Sequence, residues 1–102
     1  MFTYKEKDYE LKFSLKRIEL VENHCKKSLV ADIVATNGAL PISTIKVFFG
    51  FCLKDLSNDK FVAQKEGAEI AEEMIKTEGY LKVNNMIIQK MSEDVPFLFQ
   101  GA

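Results

Sequence analysis

The 102-residue chain contains no tryptophan, one histidine, one arginine, two cysteines and two prolines. His24 stands alone, and a metal site needs a cluster of ligands, so we expect no bound metal. Cys25 and Cys52 are far apart and form no Cys-x-x-Cys pair, which excludes a zinc or redox motif built on spacing and predicts reduced thiols. The five glycines are isolated and make no phosphate-binding loop, so we also expect no nucleotide or other cofactor.

The sequence also lacks a basic excess and a long apolar run. The formal net charge is -1, Arg17 is the only arginine, and the lysines are interleaved with acidic residues, as in Lys5-Glu6-Lys7-Asp8. These features argue against a nucleic-acid partner. The longest dense apolar stretch, Val47 to Leu53, is too short to cross a bilayer, and residues 1–4 lack the apolar core of a signal peptide. We therefore expect no membrane partner and a cytoplasmic location.

What is present is the composition of an ordinary globular protein, with 47% hydrophobic and 28% charged residues. A chain of this length forms one hydrophobic core, so residues 1–102 are expected to make a single domain.

Period-two alternation at the N-terminus predicts a β-hairpin. Residues 2–5 and 9–13 alternate apolar and polar, and the short polar segment Glu6-Lys7-Asp8 lies between them. Because an isolated hairpin is marginal in water, its apolar face should pack on the helices that follow.

Helical spacing of apolar residues predicts about five helices after the hairpin. Ser14 and Ser28 are candidate N-caps, and Gly38 and Gly79 are candidate helix ends. The predicted ranges are 15–26, 28–37, 42–53, 64–78 and 81–93, with Leu56 to Lys60 as a turn-rich connection. The predicted fold class is α+β, mostly α, with an N-terminal β-hairpin followed by a compact bundle of about four to five helices.

The segment from Ile42 to Leu53 is apolar on almost every side, which is typical of a buried central helix. We expect Phe48, Phe49 and Phe51 to lie mainly in the core. Gly50 inside this helix predicts close approach by a neighbouring element.

No combination of residues predicts catalysis. His24 and Cys25 are adjacent, and neighbours on a helix point about 100° apart, so a surface histidine beside a half-buried thiol is the expected arrangement. Glu69, Glu72 and Glu73 lie within one helical turn without the Glu-x-x-His pairs of a carboxylate metal site, and they predict a solvated acidic face. We expect a protein that is not an enzyme.

The C-terminal segment is the candidate binding site. Pro96 ends the last helix, and Phe97, Leu98 and Phe99 follow it, where a polar tail would be ordinary. These side chains either dock on the domain's own core or contact a partner protein.

The order of these segments resembles that of the tail assembly chaperones of long-tailed phages and prophages of Gram-positive bacteria. The resemblance rests on Tyr9 to Ile18, Asn37 to Ile42, Gly50 to Lys54, and Glu69 to Ile75 with Glu78-Gly79-Tyr80. It covers nearly the whole chain, from Phe2 to Gln100.

The resemblance implies a non-enzymatic chaperone that binds the tape measure protein, keeps it soluble and assists tail tube assembly. It also implies a longer form made by ribosomal frameshifting, through which the tail tube protein is recruited, and a homo-oligomer that covers a long client. The alternatives are a small helix-turn-helix-like transcriptional regulator and another kind of protein-binding adaptor. In the first of these, residues 42–53 would be the recognition helix, although they are apolar where base-reading side chains belong.

Overall fold

The computed structural model describes residues 1–99, together with the side chains of residues 1–98. It contains four strands and five α-helices, followed by a short 3₁₀ helix, over these described residues. The strands are β1 (Phe2–Tyr4), β2 (Lys7–Leu11), β3 (Leu53–Asp55) and β4 (Lys60–Phe61). The α-helices are α1 (Leu15–Cys25), α2 (Leu29–Ala35), α3 (Ile42–Cys52), α4 (Gln64–Glu78) and α5 (Tyr80–Asp94), and the 3₁₀ helix is Pro96–Phe99. The α+β, mostly α fold class is confirmed.

The N-terminal hairpin is present, but its turn lies earlier than the sequence indicated. Lys5 and Glu6 connect the strands with φ angles of 48° and 68°, and β2 begins at Lys7. A two-residue loop with positive φ at both positions matches the twist of the paired strands. The turn therefore lies at Lys5 and Glu6 rather than at the polar segment Glu6-Lys7-Asp8. Phe2 therefore pairs with Tyr9, and Tyr4 with Lys7.

The sheet contains a second hairpin that the sequence analysis missed. The four strands are antiparallel in the order β1-β2-β3-β4, and Leu11 pairs with Leu53 where β2 meets β3. The apolar spacing predicts a helix that reaches Leu53, but α3 ends at Cys52 and Leu53 is the first residue of β3. The turn-rich segment is the β3–β4 loop, and its last residue, Lys60, belongs to β4. Strands of two or three residues are too short to show alternation.

Serine caps fix the starts of the first two helices, as expected. The Ser14 hydroxyl accepts from the N–H of Arg17, and the Ser28 hydroxyl accepts from the N–H of Ala31, each at 3.2 Å. Pro41 precedes α3 without a side-chain cap, and its carbonyl accepts from the N–H of Ile45 at 3.0 Å. Gly79, with a φ of 95°, separates α4 from α5.

The core lies around α3, whose burial confirms the expected central helix. Phe48 and Phe49 are fully buried, and the ring of Phe48 meets that of Phe13 edge-on, with centroids 5.6 Å apart. Tyr9 and Leu11 of the hairpin are buried as well. The other buried apolar residues include Ile18, Val21, Leu29, Leu40, Ile45, Ile70, Met74, Val83, Ile87, Met91 and Val95.

Phe51 corrects the prediction that all three α3 phenylalanines are core residues. It is half-buried, and His24 of α1 lies against it with ring centroids 5.6 Å apart. The carbonyl of Phe51 accepts from Nη1 of Arg17 at 3.1 Å, and the Arg17 guanidinium lies 3.5 Å from the ring centroid of Phe61 in β4. The only arginine thus joins α1 to α3 and to the second hairpin.

Helices α3 and α4 pack at the closest approach in the core. A Cβ on Gly67 would lie 2.7 Å from the Phe49 carbonyl carbon and 2.9 Å from Cα of Gly50. A Cβ on Gly50 would lie 2.9 Å from Cγ of Gln64. The prediction that Gly50 marks a close approach is confirmed, because the two glycines let the helix backbones meet.

Candidate protein-binding surface

Two of the three residues predicted to bind a partner, Phe97 and Leu98, have described side chains, and their environments differ. Leu98 packs against the core and its N–H donates to the carbonyl of Val95 at 3.1 Å. Phe97 remains 49% exposed. The side chain of Phe99 lies outside the described residues. Docking on the core thus accounts for Leu98, while Phe97 presents an aromatic ring to solvent.

A polar network holds the end of α5 against β2 and the start of α1. Oδ2 of Asp94 accepts from the N–H of Phe13 at 3.0 Å. The ammonium of Lys90 lies 3.4 Å from Oδ1 of Asp94 and 3.4 Å from Oε1 of Glu10, and all three side chains are mostly buried. Hydrogen bonds to charged groups are among the stronger ones in proteins, so this network anchors the end of α5, three residues before Phe97.

Leu15, the first residue of α1, is another exposed apolar residue, with 56% of its surface accessible. It lies two positions after Phe13, whose N–H belongs to the polar network. We call Phe97 and Leu98 the C-terminal surface. It combines an aromatic and an aliphatic side chain on anchored backbone, which suits burial against a partner.

Leu81 near the start of α5 and Val34 in α2 are two more strongly exposed apolar side chains. Leu81 is 70% exposed, and Val34 of α2 is 69% exposed. The 36–41 loop is tied to α5 here, because the N–H of Leu40 donates to Oδ1 of Asn84 at 3.0 Å and the Tyr80 hydroxyl donates to the carbonyl of Leu40. Single exposed apolar residues are ordinary on soluble proteins, so these do not by themselves define a site.

His24 and Cys25 are arranged as the sequence indicated, with an exposed imidazole beside a half-buried thiol. Nδ1 of His24 lies 3.4 Å from Nε2 of Gln64. Burial raises the pKa of the Cys25 thiol, and Lys27 opposes this shift. A raised pKa keeps the Cys25 thiol protonated, and only the thiolate is a good nucleophile. This position of the thiol therefore disfavours nucleophilic chemistry with His24 as the base.

The acidic residues of α4 lie on its outer face, as expected. Glu69, Glu72 and Glu73 are exposed, and the carboxylate of Glu72 lies 3.7 Å from Lys46 and 3.6 Å from Lys76. Across residues 1–99, no group of three or more His, Cys, Asp or Glu side chains could hold a metal ion. The same part of the chain contains no helix that is both long and apolar enough to span a membrane.

Comparison of the chain with known protein families, with characterised proteins and with solved structures gives no match. The site is therefore described from its own geometry alone.

Proposed function

We propose that this domain is a non-enzymatic assembly chaperone that binds the phage tape measure protein through its C-terminal surface. The observation that carries the proposal is the half-exposed ring of Phe97 on a segment anchored by Asp94. An exposed aromatic side chain on fixed backbone loses little conformational entropy when a partner covers it. Burial of apolar surface contributes about 25 cal/mol per Å², and this contact needs no reactive group.

The resemblance described above supplies the identity of the client. A tape measure protein is a long helical polypeptide that aggregates unless it is covered, and its coating requires many copies of one chaperone. The proposal therefore includes a homo-oligomer, recruitment of tail tube protein by a frameshifted longer form, and action in the cytoplasm of the bacterial host.

The helix-turn-helix alternative is less well supported. Its recognition helix would be α3, in which Thr44, Ile45, Phe48, Phe49, Gly50 and Cys52 are buried. A recognition helix needs an exposed face whose side chains reach base edges in the major groove. A protein-binding adaptor with another client would use the same C-terminal surface.

Co-expression tests the proposal. The client is the tape measure protein of the same phage or prophage, which a very long helical coding region beside the gene would identify. We expect wild-type chain to keep this client in the soluble fraction. Phe97→Ser should lose that effect while the domain keeps its circular dichroism and melting temperature, because the ring is only half-buried.

Val34→Ser is the matched control, because it removes an apolar side chain that is 69% exposed on α2 and outside the C-terminal surface. It should leave client solubility unchanged. Aggregation of the client in the presence of wild-type chain would contradict the function. Soluble client with Phe97→Ser would contradict the assigned surface.

A further inference from the structure

A cleft of about 520 Å³ lies between the tip of the N-terminal hairpin and α4. Strand pairing places Tyr4 beside Lys7, and alternation along β2 puts Lys7 and Tyr9 on the same face of the sheet. These three side chains form the hairpin wall, while Glu66, Glu69 and Glu73 of α4 form the opposite wall. The cleft has the volume of an ordinary binding pocket and opens to solvent.

Tyr9 is buried in the wall of this cleft without an internal partner for its hydroxyl. The residue is only 3% exposed, and its hydroxyl makes no hydrogen bond with the described part of the chain. Burial raises the pKa of Tyr9, and the carboxylates of Glu66 and Asp55 add to that shift, so the hydroxyl stays protonated at neutral pH. The hydroxyl itself is not a buried unsatisfied atom, so it reaches the solvent of the cleft and can donate to a ligand there.

The acidic wall carries charge that the fold does not neutralise. Glu72, at the edge of the cleft, has its lysine partners, but Glu66, Glu69 and Glu73 have none within 4 Å among residues 1–99. Their side chains are exposed. Three carboxylates along one side of a cleft favour a cation between the walls.

The half-buried ring of Tyr4 adds a second attraction for a cation, whereas the ring of Tyr9 is covered and stacks on Phe2. The ammonium of Lys5 already lies 5.5 Å from the ring centroid of Tyr4, which is within the range of cation–π contact. A guanidinium can stack on such a ring and donate to carboxylates in its plane at the same time, whereas an ammonium cannot do both as well.

We propose that this cleft binds arginine side chains of a basic, helical segment in a partner protein. The guanidinium takes the place of the Lys5 ammonium against the ring of Tyr4 and pairs with the carboxylates of Glu69 and Glu73. Further basic residues of the partner helix then lie along α4. Lys5 and Lys7 also line the cleft and oppose a cation, so they limit the affinity. The proposal goes beyond the assigned function, since it uses neither Phe97 nor the C-terminal surface.

The test is a titration of the full chain with an alanine-based helical peptide that carries arginine at every fourth position. Binding is measured by NMR and by calorimetry. We expect saturable binding that shifts the amide signals of Tyr9 and Ile70, and that weakens as salt is raised. The same peptide with neutral citrulline in place of arginine should not bind. The absence of saturable binding at millimolar peptide, or equal binding of the citrulline peptide, would overturn the proposal.

Variants separate the cleft from general surface charge. Glu69→Gln combined with Glu73→Gln should weaken binding about tenfold, since it removes the two carboxylates assigned to the guanidinium. The control combines Glu19→Gln with Glu78→Gln, which removes the same charge from exposed positions outside the cleft and should change binding less than about twofold. Equal weakening by both pairs would show a nonspecific charge effect and reject the cleft.

Two single variants test the roles of the hairpin side chains. Tyr9→Phe keeps the ring and removes the hydroxyl, and it should weaken binding about threefold through the lost hydrogen bond, with an unchanged melting temperature. Lys7→Gln should strengthen binding about threefold because it removes a like charge. Weaker binding by Lys7→Gln would overturn the assignment, because it would mean that Lys7 helps to hold the cationic peptide. Neither result depends on the tape measure protein, so this proposal and the chaperone function can fail separately.

Discussion

Cys52 and Cys25 have the same side chain but different expected reactivities, because their burial differs. Cys52 is fully buried, and that burial raises the pKa of its thiol to about 12, although Arg17 works in the opposite direction. Cys25 is half-buried and its pKa is raised as well. Only the thiolate reacts, so in both cases the reactive fraction at neutral pH is below that of a free cysteine.

The expected result is ordered modification of the thiols. In the native protein at pH 8, a disulfide reagent should label Cys25 slowly and leave Cys52 unmodified until the chain is unfolded. The Cys25→Ser variant isolates the second thiol for the measurement by absorbance. Rapid labelling of Cys52 in this folded variant would show that α3 is more open than its burial indicates.

Phe48 and Phe97 allow a matched comparison of core and surface. Phe48→Ala should reduce the free energy of unfolding by about 3–5 kcal/mol, since it leaves a cavity beside Phe13 in a fully buried site. Phe97→Ala should cost about 0.5 kcal/mol or less, because the ring is 49% exposed. Urea unfolding measures both. Equal losses in the two variants would contradict the placement of Phe97 at the surface.

At the scale of secondary structure, the α3–α4 contact reverses the usual effect of a glycine substitution. Alanine in the interior of a helix is favoured over glycine by about 1 kcal/mol. A methyl group on Gly67 would meet the backbone of Phe49 and Gly50 at separations that Cβ atoms do not tolerate. The helices would have to move apart, and such overpacking costs about 1–3 kcal/mol or more.

We therefore expect Gly67→Ala to lower the melting temperature. Ala68→Gly, one position along α4, is the control for helix propensity, and it should lower stability by about 1 kcal/mol without displacing a helix. A more stable Gly67→Ala protein would mean that α3 and α4 are not in backbone contact.

The first hairpin contains a turn that its sequence does not favour. Lys5 and Glu6 both adopt positive φ, a region that costs roughly 1–2 kcal/mol per residue for side chains other than glycine and asparagine. Replacing them with asparagine and glycine, Lys5→Asn and Glu6→Gly, should raise the free energy of unfolding by about 1–2 kcal/mol. Thermal unfolding gives the result, and Lys65→Asn serves as the control for a lysine lost from an exposed helix start. A destabilised double variant would place the turn elsewhere.

At the scale of the whole molecule, the shape and surface bear on self-association. The molecule extends 41 Å by 26 Å by 23 Å. Leu81 at the start of α5 is 70% exposed and lies outside the C-terminal surface that the client is proposed to cover. A contact between Leu81 of one copy and a different face of the next copy repeats along a line, as coverage of a long client requires.

Sedimentation velocity at rising concentration tests this prediction. We expect the average mass to increase with concentration, and Leu81→Glu to shift the equilibrium towards monomer. Lys82→Glu makes a larger charge change at the next exposed position and is the control. A strictly monomeric protein at high micromolar concentration, with and without the client, would contradict self-association.

The sequence by itself determined the helices, because their signals are local. Ser14 and Ser28 supply side-chain caps, Gly79 ends α4, and the apolar residues of 42–52 leave that helix no solvated face. These features depend on residues within a turn or two of each other. The fold class and most helix boundaries follow from them.

The tertiary structure alone decided the second hairpin, the position of the first turn and the cleft. β3 and β4 are too short for periodicity. β3 is a strand because Leu53 and Lys54 pair with Leu11 and Glu10, far away in the chain, and β4 then pairs with β3. The different environments of Leu98 and Phe97 depend on how α5 docks against β2 through Lys90 and Asp94. The cleft joins Tyr9 to residues more than fifty positions later. Pairing and packing between distant segments leave no periodic trace in the sequence, so only the folded chain brings these residues together.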